Sequence, residues 1–472
     1  MNCPTIGLLP LYLELYDRSL PEVRPRMEAF RQTIESEFEK RGLQVVTAPV
    51  CRLKDEFESA IGCFEEADVD AIVTLHLAYS PSLESAPALA RTRLPVIVLD
   101  TTPTYSYGPR QDPDELMYNH GIHGVQDLCS VLIREGKPFA IETGHWENSD
   151  VLDRVAAWAR AAMAASRMRS ARVGLIGVPF EGMGDFAVER EALRRNIGIE
   201  VVDARPDQLR SMLASVTEDE LKAEAARDAA RFTMKGVDPD AYARSLRAGL
   251  AVRKWIETER LTAFTMNFLS FDRSSGLDTV PFLEASKAMA RGIGYAGEGD
   301  VLTAAFVGAL AAVYSGTTFT EMFCPDWEND SIYLSHMGEM NVDLAADRPA
   351  LVEKPFPWTD AQDPVIAVGR LAGGAAVYAD LAPGSGDTFS LIAAPVEVLE
   401  VQGEDRMADS VRGWFRPRMP ISDFLARYSA TGGTHHSALV YGVDVSEIAR
   451  FGELMGWNVI VLDGVENRTF GG

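Results

Sequence analysis

Residues 71–100 read AIVTLHLAYSPSLESAPALARTRLPVIVLD. Two short, β-branched apolar runs, AIVTLHL and PVIVLD, flank a stretch that reads as a short helix near residue 86. Strand, helix and strand in this order predict a parallel pair joined by a crossover. Working outward, TIGLLPLY, a helix over 22–41, LQVVTAP and a helix over 53–67 precede this unit. Helices over 121–136 and 150–168 follow it, on either side of PFAIETG. The alternation predicts a doubly wound parallel sheet.

At ARVGLIGVP (171–179) the pattern restarts and continues through a helix over 187–195 and IEVVDA. One long helical tract then reaches residue 260, before TAFTMNF. After about residue 315 the helices give way to β-branched runs such as VIAVGRL, AAVYADL, TFSLIAAPVEVLEV and SALVYG, separated by Gly, Pro and Asp turns. The expected fold is α/β: doubly wound parallel-sheet domains over 1–170 and 171–314, then a β-rich C-terminal domain over 315–472. No repeat of 20 to 50 residues and no low-complexity linker interrupts the 472 residues.

Hydrophobic residues make up 47% and charged residues 24%, which excludes a chain that is mainly disordered. A formal charge of −24 repels phosphate backbones and anionic lipid, so neither nucleic acid nor membrane is an expected partner. MNCPTIGLLPLYLELYD lacks the basic start of a secretory signal, and no apolar run approaches the roughly 20 residues of a membrane helix. A soluble, cytoplasmic protein is expected. Five cysteines, without a CxxC pair, suggest neither a disulfide framework nor a thiolate zinc site.

The chemistry-bearing residues gather in four segments. GYAGEGD (294–300) sets Glu298 between glycines, with Asp300 as N-cap of a helix over 301–313. The bland alternative is an acid that only complements a helix dipole. TTFTEMF (317–323) places Glu321 among apolar and Thr neighbours, as an inward acid or half of a salt bridge. His336 ends the next run, in SHMGEM (335–340). GGTHHS (432–437) opens a strand with His435 and His436, and strand alternation allows only one of them to face a shared site. Two carboxylates and two imidazoles together suit Mn²⁺, Co²⁺ or a similar divalent ion with open positions.

In order, GYAGEGD, TTFTEMF, SHMGEM and GGTHHS resemble the segments that supply four metal ligands in the L-arabinose isomerase and L-fucose isomerase superfamily, most closely its arabinose isomerase branch. NHGIHG (119–124) and TGHW (143–146) are similar to that family's NQ-x-HGG and TGHW segments. The resemblance implies a metal-dependent aldose–ketose isomerase. It assigns the ion, usually Mn²⁺, to Glu298, Glu321, His336 and His436. It also implies proton transfer between C1 and C2 by Glu298 and Glu321 through a cis-enediol, and sugar contacts from His123, with Gln126 and His76 on the neighbouring loops. A homo-oligomer, trimer or hexamer, with active sites between subunits is implied as well.

Three departures bear on the substrate. LLPLYLELYDRSLPE (8–22) lacks the family's Gln-containing GSQHLYG, LHLAYSPSLES (75–85) replaces HTFSPAKMW, and HGVQD (123–127) replaces HGGRE, leaving Gln126 and Asp127 for a basic and an acidic residue. A sugar other than L-arabinose is therefore expected. Rival readings are an epimerase with the same metal site, a non-catalytic sugar-binding protein, and a dinucleotide enzyme. The last is weakened because neither GVPFEGMGD (177–185) nor GRLAGG (369–374) forms a GxGxxG turn.

Overall fold

The computed structural model describes residues 3–272, 274–464 and 469–470. They divide into two compact units, one of residues 3–166 and one that begins at Arg167.

In the first unit, β1 (Thr5–Leu11), β2 (Gln44–Thr47), β3 (Ala71–His76), β4 (Val96–Asp100) and β5 (Ala140–Thr143) form one sheet. Its order is β2-β1-β3-β4-β5 and every pairing is parallel. β3 and β4 are buried along their whole length, which explains why they read as continuous apolar runs instead of alternating ones. Helices 54–66, 82–91 and 122–134 turn Phe57, Phe64, Leu89, Leu128 and Leu132 into a shared core with Leu9, Ile72 and Val98. In such a sheet, ligand sites form beyond the carboxyl ends of the strands, where Leu11 and His76 stand.

The second unit begins with β6 (Arg172–Ile176) and β7 (Glu200–Asp203). β8 (Thr233–Met234) leaves for a small sheet, and β9 (Ala263–Met266) and β10 (Gly294–Gly297) complete a parallel sheet of order β10-β9-β6-β7. The single helical tract expected up to residue 260 is instead three helices, 206–214, 218–231 and 239–259. The breaks follow local capping chemistry. Thr217 and Glu220 form a capping box, and Asp238 caps a helix whose first residue is Pro239.

The remaining strands are β11 (Thr317–Asp326), β12 (Ser331–Ser335), β13 (Ala350–Glu353), β14 (Val365–Val368), β15 (Gly374–Pro383), β16 (Phe389–Val398), β17 (Gly413–Pro417), β18 (His436–Tyr441), β19 (Asn458–Val461) and β20 (Thr469–Phe470). Antiparallel pairing runs β15-β18-β11-β12-β17-β16 and closes through β15–β16, giving a six-stranded barrel. Closure removes the barrel's exposed edges. Helix 301–311, VLTAAFVGALA, is buried at all eleven positions and touches β9 and β10 on one side and β11, β15 and β18 on the other. A helix apolar all round fits only such a sandwiched place.

A buried ionic cluster ties the interrupted helices together. Lys287 lies 2.9 Å from Glu224 and 2.7 Å from Asp228, while Arg253 bridges Glu224 and Glu284 at 2.8 Å each. Lys287, Glu224, Asp228 and Glu284 are all under 5% exposed. Replacing Lys287 with Met leaves two buried acids short of a cation, and should cost about 3–5 kcal/mol of unfolding free energy in urea titrations. A loss below about 1 kcal/mol would show that the cluster does not hold these helices.

Candidate metal and active site

β11 is the spine of the site. Its register sets Glu321 opposite Ser335 of β12 on one side and opposite His436 of β18 on the other. His336 follows Ser335 directly, so an acid on the middle strand is flanked by a histidine from each neighbour. The ladder shifts register between Met322 and Cys324, and this bulge bends the strand immediately after Glu321.

The third wall is the turn between β10 and helix 301–311. Glu298 has φ 63° and Gly299 φ 86°. A left-handed glutamate is strained, and such residues persist where the surroundings dictate them, commonly at functional sites. A side chain on Gly299 would stand 2.6 Å from the Cα of Pro179. Asp300 caps the helix, accepting from the Thr303 amide at 2.9 Å.

Three imidazoles face this pair of acids, and each is fixed through Nδ1 by another carboxylate. His436 Nδ1 lies 3.0 Å from Asp300, His336 Nδ1 2.8 Å from Glu339, and His435 Nδ1 2.6 Å from Asp185. Glu339 is itself held by the Tyr295 hydroxyl at 2.7 Å and the Gly338 amide at 2.8 Å. An Nδ1–H donated to a carboxylate leaves Nε2 as a lone pair. Yet Nε2 of His435 and of His436 each lies 3.6 Å from Oε2 of Glu298. His436 is fully buried, and its Nε2 has no hydrogen-bond partner among the described residues. A buried ring nitrogen of His436 left without a partner beside a carboxylate is a place that a cation would satisfy. Glu298, His435 and His436, and likewise Glu321, His336 and His436, present ligand atoms within 4.8 Å of one another.

Alternation along a strand would let only one of the adjacent histidines face the site. Both do, because β18 begins at His436 and His435 still belongs to the preceding turn.

The two acids are pushed in opposite directions. Burial raises the Glu298 pKa, but His435, His336 and His436 outweigh it and leave the group below its ordinary value. For Glu321 burial wins over the same histidines, helped by the charge of Glu298, and its pKa is raised. Burial lowers His435, yet Glu298 and Asp185 overcome this and push it up to about 9.

The other residues singled out from the sequence lie in the first unit. His123 and Gln126 are exposed three residues apart on helix 122–134, on one face. His76 is 3% exposed, with Gly121 and Gly124 packed so closely on it that an added side chain would meet it at 2.5 Å. Asp127 accepts hydrogen bonds from Ser82 N (3.0 Å), Ser82 Oγ (2.9 Å) and Tyr79 (3.4 Å), anchoring the loop after β3.

Sequence reasoning identified Asp300 only as a cap and missed Glu339 and Asp185. A signal for Glu339 was present in SHMGEM, where His336 and the acid stand three residues apart. Asp185 is 250 residues from His435, and no local pattern links them.

Family models match in chain order: L-arabinose isomerase N-terminal domain over 14–170, central domain over 188–316 and C-terminal domain over 316–458. Similar curated proteins are all L-arabinose isomerases. That of Anoxybacillus flavithermus is 25% identical, covering 94% of this chain and 91% of its own. That of a Nocardioides species is 26% identical, over 89% and 86%. That of Shouchella clausii is 24% identical, over 98% and 94%. A periplasmic solute-binding protein from Actinobacillus succinogenes with bound D-allose gives a TM-score of 0.17 at 13% identity, over 66% of this chain and 91% of that one, and carries no argument.

A side chain on Gly297 would stand 2.6 Å from Cε1 and 2.8 Å from Nε2 of His336. Gly297→Ala should therefore turn this ring away from Glu321 and lower affinity for added Mn²⁺ at least tenfold by calorimetry, at about 1–3 kcal/mol cost in stability. Unchanged affinity would show that the ring position is not set by this contact.

Proposed function

The chain belongs to the L-arabinose isomerase family and is an aldose–ketose sugar isomerase; on that premise we propose that it needs a divalent ion and acts on a sugar other than L-arabinose. The observation that carries the metal reading is the buried, unpartnered Nε2 of His436 facing the Glu298 carboxylate at 3.6 Å. The residues present fit the ion. Glu298, Glu321, His336 and His436 offer two oxygen and two nitrogen donors, a set suited to Mn²⁺ or Co²⁺. The three carboxylates behind the imidazoles match the outer partners that metal-binding histidines carry. Held by these four residues, the ion supplies Lewis-acid stabilisation of the oxyanion that develops on the sugar.

Isomerisation moves a proton between C1 and C2 through a cis-enediol. Glu298 would take the proton from C2 and deliver it to C1, while Glu321 would give a proton to O1 and take one back from O2, so that both groups end as they began. Exposed His123 and Gln126 contact the sugar, and His76 acts through the 120–124 turn that it underlies. We also propose a homo-oligomer, trimer or hexamer, with active sites between subunits, which the resemblance to the family implies. The reading against L-arabinose rests on segments 8–22 and 75–85 and on Gln126 and Asp127, the latter occupied in holding Ser82 and Tyr79.

Elemental analysis after dialysis against Mn²⁺ should find a stoichiometric ion in the wild type and little in Glu298→Gln or His436→Ala. Chelation should lower the melting temperature, because an ion bound only by the folded chain stabilises it. With the sugar turned over best from an aldose panel, Glu321→Gln should lose about 10²–10⁴ in kcat. Unchanged metal content in both ligand variants would refute the cage, and C2 epimers without ketose would refute isomerisation.

A further inference from the structure

Asp185 lies in the segment after β6, beyond the carboxyl end of that strand, with no helix or strand of its own. One oxygen, Oδ2, takes both the backbone N–H of His435 at 3.0 Å and its ring Nδ1 at 2.6 Å. The backbone contact fixes the turn entering β18, and the ring contact fixes the imidazole's rotation. With Nδ1 occupied, Nε2 turns to Glu298, 3.6 Å away. Phe186, the next residue, stacks on His436 at 5.3 Å and 10° and touches His435 at 5.7 Å, so one short segment orients both rings.

We propose that Asp185 is a positioning residue of the active site, which holds His435 over the Glu298 carboxylate as a third oriented imidazole. Three features of the contact favour this over a merely structural role. The Asp185 side chain is 36% exposed and that of His435 29%, so the pair adds little to the core. The arrangement repeats the one that Asp300 makes with His436 and Glu339 with His336. Finally, His435 sits on the more accessible side of Glu298, whereas His436 is fully buried. A substrate approaching Glu298 from solvent therefore meets a ring already turned toward it. The inference rests on Glu298 being the catalytic carboxylate.

The test uses the full-length protein with all histidines ¹⁵N-labelled and the His435 signals assigned with a His435→Gln variant. In the wild type, His435 should show a protected proton on Nδ1. Asp185→Ala should abolish that signal and leave those of His336 and His436 in place. Bound Mn²⁺ should stay stoichiometric and the melting temperature within a few degrees. With the best sugar of the panel, kcat should fall at least tenfold while KM changes less than threefold. Asp185→Glu should restore the signal and part of kcat. An Nδ1 signal unmoved by Asp185→Ala, or kcat unchanged in it, would overturn the proposal. The spectra and metal content need no turnover, so a failure of the isomerase reading is seen separately, as an oriented His435 in a protein without isomerase activity.

Discussion

Every imidazole of the site is pinned at Nδ1 by a second carboxylate, and this constraint gives the rest its meaning. A free histidine ring in a protein interior rotates to satisfy whichever nitrogen it can. Here Asp300, Glu339 and Asp185 have already taken one nitrogen each, which leaves the other to Glu298 in His435, to Glu321 in His336 and to both acids in His436. The buried Nε2 of His436, without a hydrogen-bond partner among the described residues, is the donor that the proposed ion would satisfy.

The surrounding fold supplies the rigidity this demands. β11 carries Glu321 between two antiparallel neighbours, so its distance from His336 and His436 is set by ladder register and not by loop conformation. Helix 301–311 is buried on every side between the parallel sheet and the closed barrel, and its N-terminal turn carries both Glu298 and Asp300. One short turn thereby delivers an acid to the site and the acid that orients the opposing histidine. Gly297 completes the fit by leaving room for the His336 ring.

Much of this was legible in the sequence, and the limits have physical causes. Glu298, Glu321, His336 and His436 each stand in a short pattern dictated by local geometry: a Gly turn, a strand, a strand end and a strand start. The parallel sheets were readable because their strands are apolar runs with helical crossovers between them. The tract before residue 260 was misread as continuous because its helices share one composition, and only the caps Thr217 and Asp238 mark the breaks. His435 was set aside by an alternation rule that starts one residue later than assumed. Asp185 was beyond reach, since its partner is fixed only by the tertiary fold. Burial of His76 beneath Gly121 and Gly124 was likewise invisible, because a strand-end position does not say what closes over it.

The central claim is that two acids and two oriented imidazoles converge on one divalent ion. Anomalous diffraction from crystals grown with Mn²⁺ tests it most directly. The account predicts a single strong peak within about 2.3 Å of a carboxylate oxygen of Glu298, one of Glu321, and Nε2 of His336 and of His436. A peak elsewhere, or none among these four side chains at saturating Mn²⁺, would contradict it.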